Sequence, residues 1–292
     1  MNHLVNVCAI TVVLAATHAP GQATEPREIL LWQTGAPEPR VPADPPEAVD
    51  KKDDGISRRR NVSNPRLVVY DVPSSAAAKP RGAVLVVPGG GFGILADEHE
   101  GSDACRWLND HGFVSFLVLH RVPTNKSALP NVAPVQDIQR SVQEVRRRAA
   151  EFNVDPAKIA VLGFSAGGQA TLVAATSKPA FPADLTDPTR PDAVLLLYPW
   201  KIVGDGNTGL RSDVMIDADT PPMFIAQCGD DPGSLPQGSA HLYLKLVEAK
   251  VPAEIHIYEK GGHGFGLKAN NSLPGTFDWK ARAIEWLRLH GW

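Results

Sequence analysis

The chain has 292 residues, 43% of them hydrophobic, and carries 29 Lys+Arg against 32 Asp+Glu. That is enough to bury one large α/β core, and a formal charge of −3 gives no electrostatic reason to expect nucleic acid or an anionic membrane as a partner. Three cysteines, Cys8, Cys105 and Cys228, are too few for a disulfide scaffold or a cysteine metal site, and the last two read as small buried residues.

Leu4 to Ala16 is an apolar run of signal-peptide length, too short to span a bilayer, followed by small residues at Gly21-Gln22-Ala23. Residues 1–23 are therefore expected to be a signal peptide, cleaved after Ala23 or alternatively after Ala19, although its start has no Lys or Arg. The expectation is export to the periplasm or the exterior. No cysteine stands at the end of the run, so a lipid anchor is not expected. Residues 24–65 read as an extended arm over the domain: Gln33 to Pro65 is rich in Pro, Asp and Arg without a period, and only Glu28 to Trp32 suggests a short edge strand. Arg58-Arg59-Arg60 reads there as a solvated loop cluster.

Residues 66–292 read as the main folded domain. Arg66 to Val72 alternates like a strand, and Gly82 to Val87 is a continuous apolar run, hence a strand buried on both faces. A helix is expected from Ser102 to Asn109 and a strand from Val114 to Leu119. Val135, Ile138, Val142, Val145, Ala149 and Phe152 recur at helical spacing. Ile159 to Leu162 is the next strand, followed by a run of small residues from Gln169 to Thr176. Strands at Ala193 to Tyr198, Pro222 to Cys228 and Glu254 to Tyr258 alternate with helices at Gly238 to Lys250 and Thr276 to His290. The alternation predicts an α/β fold with a mainly parallel central sheet and helices on both faces. The irregular stretch Trp200 to Thr220 lies where it could overhang a site.

The chemistry concentrates at Gly163-Phe164-Ser165-Ala166-Gly167. A strand before and a helix after this Gly-x-Ser-x-Gly make a tight turn that pushes the Ser165 hydroxyl out of the sheet. Gly163 and Gly167 are needed because a Cβ at either would clash. A nucleophilic serine needs a base, and among nine histidines only His263 stands in a glycine-rich loop after a late strand, Lys260-Gly261-Gly262-His263-Gly264. The orienting acid should follow a strand between the two. Asp230-Asp231 does so, with Asp231 preferred and Asp230 in reserve. For the oxyanion, backbone N–H groups are expected from Ala166 and from the triglycine Gly89-Gly90-Gly91, chiefly Gly90 and Gly91. Phe92 and Trp200 are the aromatic residues expected to face Ser165 and line a substrate cleft.

Gly91-Phe92-Gly93-Ile94-Leu95-Ala96 also matches a dinucleotide fingerprint, but no helix starts on its glycines and the next strand ends in His120-Arg121 without an acid. The cofactor reading is set aside.

Taken together, Val87-Pro88-Gly89-Gly90-Gly91-Phe92-Gly93, His99-Glu100-Gly101, Ala133-Pro134-Val135-Gln136-Asp137, Gly163-Phe164-Ser165-Ala166-Gly167-Gly168 and Glu259-Lys260-Gly261-Gly262-His263-Gly264-Phe265 resemble the α/β-hydrolase superfamily. Within it they resemble bacterial esterases of the acetylxylan and feruloyl type. Pro88 and Gln227 stand where many of these have histidine. The resemblance implies hydrolysis of short-acyl esters, on small molecules or acylated saccharides, with neither metal nor organic cofactor. The alternatives are a general short-chain carboxylesterase and a non-catalytic binding module on the same fold.

Overall fold

The structure, a computed structural model, describes residues 27–71, 79–179, 188–267 and 278–292. The expected signal peptide, the end of the first core strand at Val72 and the start of the helix expected from Thr276 lie outside the described residues.

Ten strands are described: β1 (Glu28–Leu30), β2 (Ala48–Lys51), β3 (Ser57–Arg60), β4 (Arg66–Tyr70), β5 (Arg81–Val87), β6 (Val114–Leu119), β7 (Val154–Phe164), β8 (Ala193–Leu197), β9 (Met223–Cys228) and β10 (Ala253–Tyr258). The α-helices are α1 (Asp103–Asp110), α2 (Val132–Arg147), α3 (Ser165–Thr176), α4 (Pro236–Glu248) and α5 (Trp279–Leu289). Eight strands form one sheet in the order β1-β4-β6-β5-β7-β8-β9-β10. The pairings of β1 with β4 and of β4 with β6 are antiparallel, and the rest are parallel. This is the α/β architecture expected from the alternation of strands and helices.

The uniform apolar runs explain which strands are central. Every residue of β6, β8 and β9 is buried, as are six of the seven in β5, because helices cover both faces. One face packs α1 and α5 through Leu108, Trp279 and Leu287. The other packs α2 through Val135, Ile138, Val142 and Val145 and the start of α3 through Ala166 and Ala170. Leu172, Leu242 and Leu246 extend it to α4. All twelve residues of α3 are buried, which its small side chains permit between sheet and α2. β5 has β6 on one side and β7 on the other, so the chain leaves in opposite directions there. A crevice opens at the carboxyl ends of such strands.

The arm is more structured than its composition suggests. β1 adds to the sheet edge, as the Glu28 to Trp32 run implies, but β2 and β3 form an antiparallel hairpin inside the stretch expected to be irregular. The arginine cluster lies on β3 and is paired rather than merely solvated. Arg58 meets Asp54, Arg59 meets Glu47 at 2.5 Å and Asp97 at 2.7 Å, and Arg60 meets Asp50 at 2.9 Å. Charge pairing, which leaves no hydrophobic period, organises this segment.

A buried ion pair fixes the arm to the domain. Arg121 and Asp137 have fully buried side chains 2.9 Å apart. Arg121 also donates from Nη1 to the carbonyls of Pro37 and Pro39 and from Nη2 to Gln136 Oε1, while Trp32 Nε1 donates to Asp137 Oδ1 at 2.8 Å. Removing one partner leaves the other charge buried without compensation, the costly case. Asp137→Ala should lower the unfolding free energy by about 3–5 kcal/mol, read from urea titration followed by far-UV circular dichroism.

Candidate active site

The turn between β7 and α3 is held in a conformation that few side chains adopt. Ser165 has φ +51, in the left-handed region, because the chain must reverse from strand to helix within one residue. The neighbouring glycines are required by contact. A Cβ on Gly163 would lie 2.5 Å from Thr171 Oγ1, and one on Gly167 would lie 2.5 Å from the carbonyl oxygens of both Val87 and Pro88. The triglycine after β5 therefore presses directly on the serine: a Cβ on Gly89 would stand 2.7 Å from Ser165 Cβ.

Three side chains from three loops meet here. Ser165 Oγ is 2.8 Å from His263 Nε2, and His263 Nδ1 is 2.8 Å from Asp231 Oδ2. Asp231 is buried and also accepts from the backbone N–H groups of Gly233 at 2.7 Å and Ser234 at 2.8 Å and from Gln227 Nε2 at 3.2 Å. Burial would push its carboxyl pKa up. The hydrogen bond from His263, the Ser234 and Gly233 N–H groups and the attraction of the His263 ring outweigh this and hold it below the ordinary value. An ionised Asp231 can only accept, so Nδ1 of His263 carries the proton and Nε2 faces Ser165 with its lone pair.

The reserve acid, Asp230, points elsewhere. Its Oδ1 accepts the N–H groups of Gly261 (2.9 Å) and Gly262 (2.8 Å), which fastens the His263 loop to the end of β9.

The serine opens into a cleft of about 380 Å³ lined by Gly90, Gly91, Ser165, Trp200 and His263, together with Ile56, Arg58, Ile94, His99 and Glu100. Gly90 (φ +130) and Gly91 (φ +61) turn in backbone conformations that suit glycine, and Ala166 follows Ser165 at the buried start of α3. Trp200 stands in the cleft wall, and its backbone N–H donates to the Ser165 carbonyl at 2.9 Å. Phe92 does not line the cleft. It is 2% exposed, belongs to the core beside α2, and meets the Trp200 ring edge-on with centroids 6.0 Å apart. The residue after a triglycine faces inward here because its own positive φ, +59, turns the side chain back under the loop.

Of the irregular stretch Trp200 to Thr220, only Trp200 lines the cleft. Beyond it, Leu210, Val214 and Ile216 pack on the core beside α4. The wall it was expected to supply comes from the hairpin, through Ile56 and Arg58, which no local signal in the arm reveals. Glu100 was also missed as a lining residue, although His99-Glu100-Gly101 is among the stretches that carry the family resemblance. Among the described residues, no group of three or more His, Cys, Asp or Glu side chains could hold a metal ion.

The parallel sheet, the strained serine turn and the crevice at the strand ends are those of the α/β-hydrolase fold. The BD-FAE family model matches residues 70–191, which include the triglycine and Ser165 but not Asp231 or His263. The acetylxylan esterase of Xylanibacter ruminicola is 29% identical over 213 residues, 63% of this chain and 41% of that protein. Endo-1,4-beta-xylanase B of Butyrivibrio fibrisolvens is 28% identical over 221 residues, 67% of this chain and 34% of that protein. The chain thus spans well under half the length of these relatives. The crystal structure of an acetyl ester-xyloside bifunctional hydrolase from Caldicellulosiruptor lactoaceticus superposes with a TM-score of 0.70 at 27% identity, covering 92% of this chain and 99% of that one. Among proteins of this fold, the resemblance is to carboxylic ester hydrolases of the acetylxylan esterase type.

The tight contacts at the turn carry a direct expectation. Gly167→Ala places a methyl group against two backbone carbonyls that cannot move aside as a side chain could, so stability should fall by about 1–3 kcal/mol. Thermal unfolding of the variant beside the parent protein measures it.

Proposed function

We propose that this protein is a serine esterase that releases short acyl groups from esterified saccharides through an acyl-enzyme. The single observation that carries the reading is the unbroken hydrogen-bond chain from Ser165 through His263 to a buried Asp231. In this reading His263 Nε2 takes the Ser165 proton as Oγ bonds to the ester carbonyl carbon. Asp231 steadies the imidazolium. The carbonyl oxygen becomes an oxyanion, held by the N–H groups of Ala166 and of Gly90 or Gly91, which cost no reorganisation because the turns are already formed. His263 passes its proton to the alcohol oxygen as the C–O bond breaks. Water then attacks the acyl-Ser165 ester with His263 again as base, and the acid leaves.

Support for a saccharide substrate comes from the relatives named acetylxylan esterase and acetyl ester-xyloside hydrolase, and from the mixed lining of the cleft. Ile56, Ile94 and Trp200 offer apolar surface while Arg58, His99 and Glu100 offer polar edges, a combination suited to a sugar face and a small acyl group. The apolar share also leaves room for the second reading, a general short-chain carboxylesterase. Export, carried by the apolar run Leu4 to Ala16, belongs to the same proposal, since polymeric xylan lies outside the cell.

A hydrolysis panel tests this: acetylated xylan, feruloylated saccharides, and aryl esters of graded acyl length, with Ser165→Ala as the control. Aryl acetate should turn over much faster than aryl decanoate, because further methylenes would meet water and forgo about 0.8 kcal/mol of burial each. Ser165→Ala should be inactive yet folded. A rate that peaks at long chains would sink the saccharide reading. Activity on aryl acetate without any on acetylated xylan would favour the second one, and a protein unlabelled by a fluorophosphonate would be a binding module.

The two adjacent carboxylates should separate cleanly. Asp231→Asn should lower kcat by about 10⁴-fold by upsetting the His263 tautomer, whereas Asp230→Asn keeps an acceptor oxygen for Gly261 and Gly262 and should cost far less. Steady-state kinetics of both variants at neutral pH reads the difference.

A further inference from the structure

Glu100 is a buried carboxylate, 3% exposed, that lines the cleft and that the hydrolytic steps above do not use. Its two oxygens are engaged on opposite sides of the site. Oε2 accepts the Gly89 N–H at 2.9 Å, and Oε1 accepts the Tyr198 hydroxyl at 2.9 Å. It also lies close to the nucleophile: a Cβ built on Gly89 would be 2.9 Å from Glu100 Oε2 and 2.7 Å from Ser165 Cβ. Burying a carboxylate is expensive unless donors compensate it, and two charge-assisted hydrogen bonds of this kind are among the stronger ones.

Each donor belongs to a different arm of the site. Gly89 opens the triglycine loop, whose glycines lose more conformational freedom on ordering than any other residue. Tyr198 directly follows β8 at φ +39, a strained position for an aromatic residue, and is fully buried. Its ring meets His263 edge-on at 5.1 Å and Phe265 at 4.4 Å. The carbonyl of His99, next to Glu100, accepts the Leu267 N–H at 3.1 Å. Burial, together with the Glu100 charge, holds Tyr198 as a phenol, so it remains a donor. A continuous path therefore runs from the loop carrying His263, through Tyr198 and Glu100, to the loop carrying the oxyanion donors.

We propose that Glu100 is a positioning residue: it sets the Gly89-Gly90-Gly91 loop against Ser165 and, through Tyr198, keeps that loop in register with the His263 loop. The inference rests on the esterase reading, whose oxyanion donors it places. An oxyanion site works only when its donors stand where the charge develops, and a displacement near 1 Å is costly.

The test is a double-mutant cycle of Glu100→Gln and Tyr198→Phe in the full-length protein. A glutamine has one acceptor and one donor end, so it cannot receive both Gly89 N–H and Tyr198 O–H. Glu100→Gln should lower kcat by about 10- to 100-fold with KM changed less than about threefold, because only transition-state contacts are lost. The loss should be the same for every alcohol and acyl group in the panel. In the Tyr198→Phe background the same change should cost much less, since the amide oxygen can then face Gly89. A loss confined to KM or to some substrates would overturn the proposal and make Glu100 a substrate contact. Additive losses, a kcat within twofold of the parent, or a loss explained by the unfolded fraction in thermal melts would overturn it as well. If the parent protein turns over no ester but reacts with a fluorophosphonate, the esterase reading fails separately. The phosphonylation rates of the four proteins then decide the role of Glu100, with the same ranking expected.

Discussion

The close approach of the serine turn to the end of β5 is the constraint on which the rest of the site depends. Backbone carbonyls of Val87 and Pro88 stand where a side chain at 167 would be, and Ser165 Cβ stands where one at 89 would be. Contact this tight leaves Ser165 almost no freedom, so its hydroxyl points one way and the loops from other strands must come to it. The small residues of α3 follow from the same requirement. A helix buried on all sides between sheet and α2 has room only for Gly, Ala and other short side chains at its start.

Around that fixed point the positioning groups are arranged as acceptors for backbone N–H groups. Asp230 holds Gly261 and Gly262, Asp231 holds Gly233 and Ser234, and Glu100 holds Gly89. Glycine-rich loops can approach one another closely but do not order themselves. A carboxylate with two donors supplies what their missing side chains cannot. The same device recurs at the arm, where Asp137 accepts from Arg121 and Trp32 and so brings residues 32–40 onto the domain.

The arm shows where pattern in the sequence runs out. Gln33 to Pro65 has no hydrophobic period because the hairpin within it is held by ion pairs, and Arg59 finds its partner at Asp97, far along the chain. Charge partners at that separation leave no trace in local spacing. For that reason the cleft wall formed by Ile56 and Arg58 was not legible, while the irregular stretch after Trp200, which looked like a covering loop, turns away to bury Leu210, Val214 and Ile216.

What the sequence determined by itself is whatever depends on neighbours along the chain. Continuous apolar runs of strand length, alternating with helical periods, require a covered parallel sheet, and Gly-x-Ser-x-Gly between strand and helix marks Ser165 by local sterics alone. It narrowed the acid to two adjacent residues with Asp231 preferred, but their side chains leave the backbone in different directions, and only the path after β9 decides which one faces His263. Phe92 and Trp200 looked alike as aromatic residues near the turn, yet a positive φ sends one into the core while the other stands in the cleft. Glu100 gained its partners only when the ends of β5 and β8, which flank β7, were brought to the same edge of the sheet. Direction of approach and long-range pairing are properties of the packed chain, and tertiary structure alone decided them.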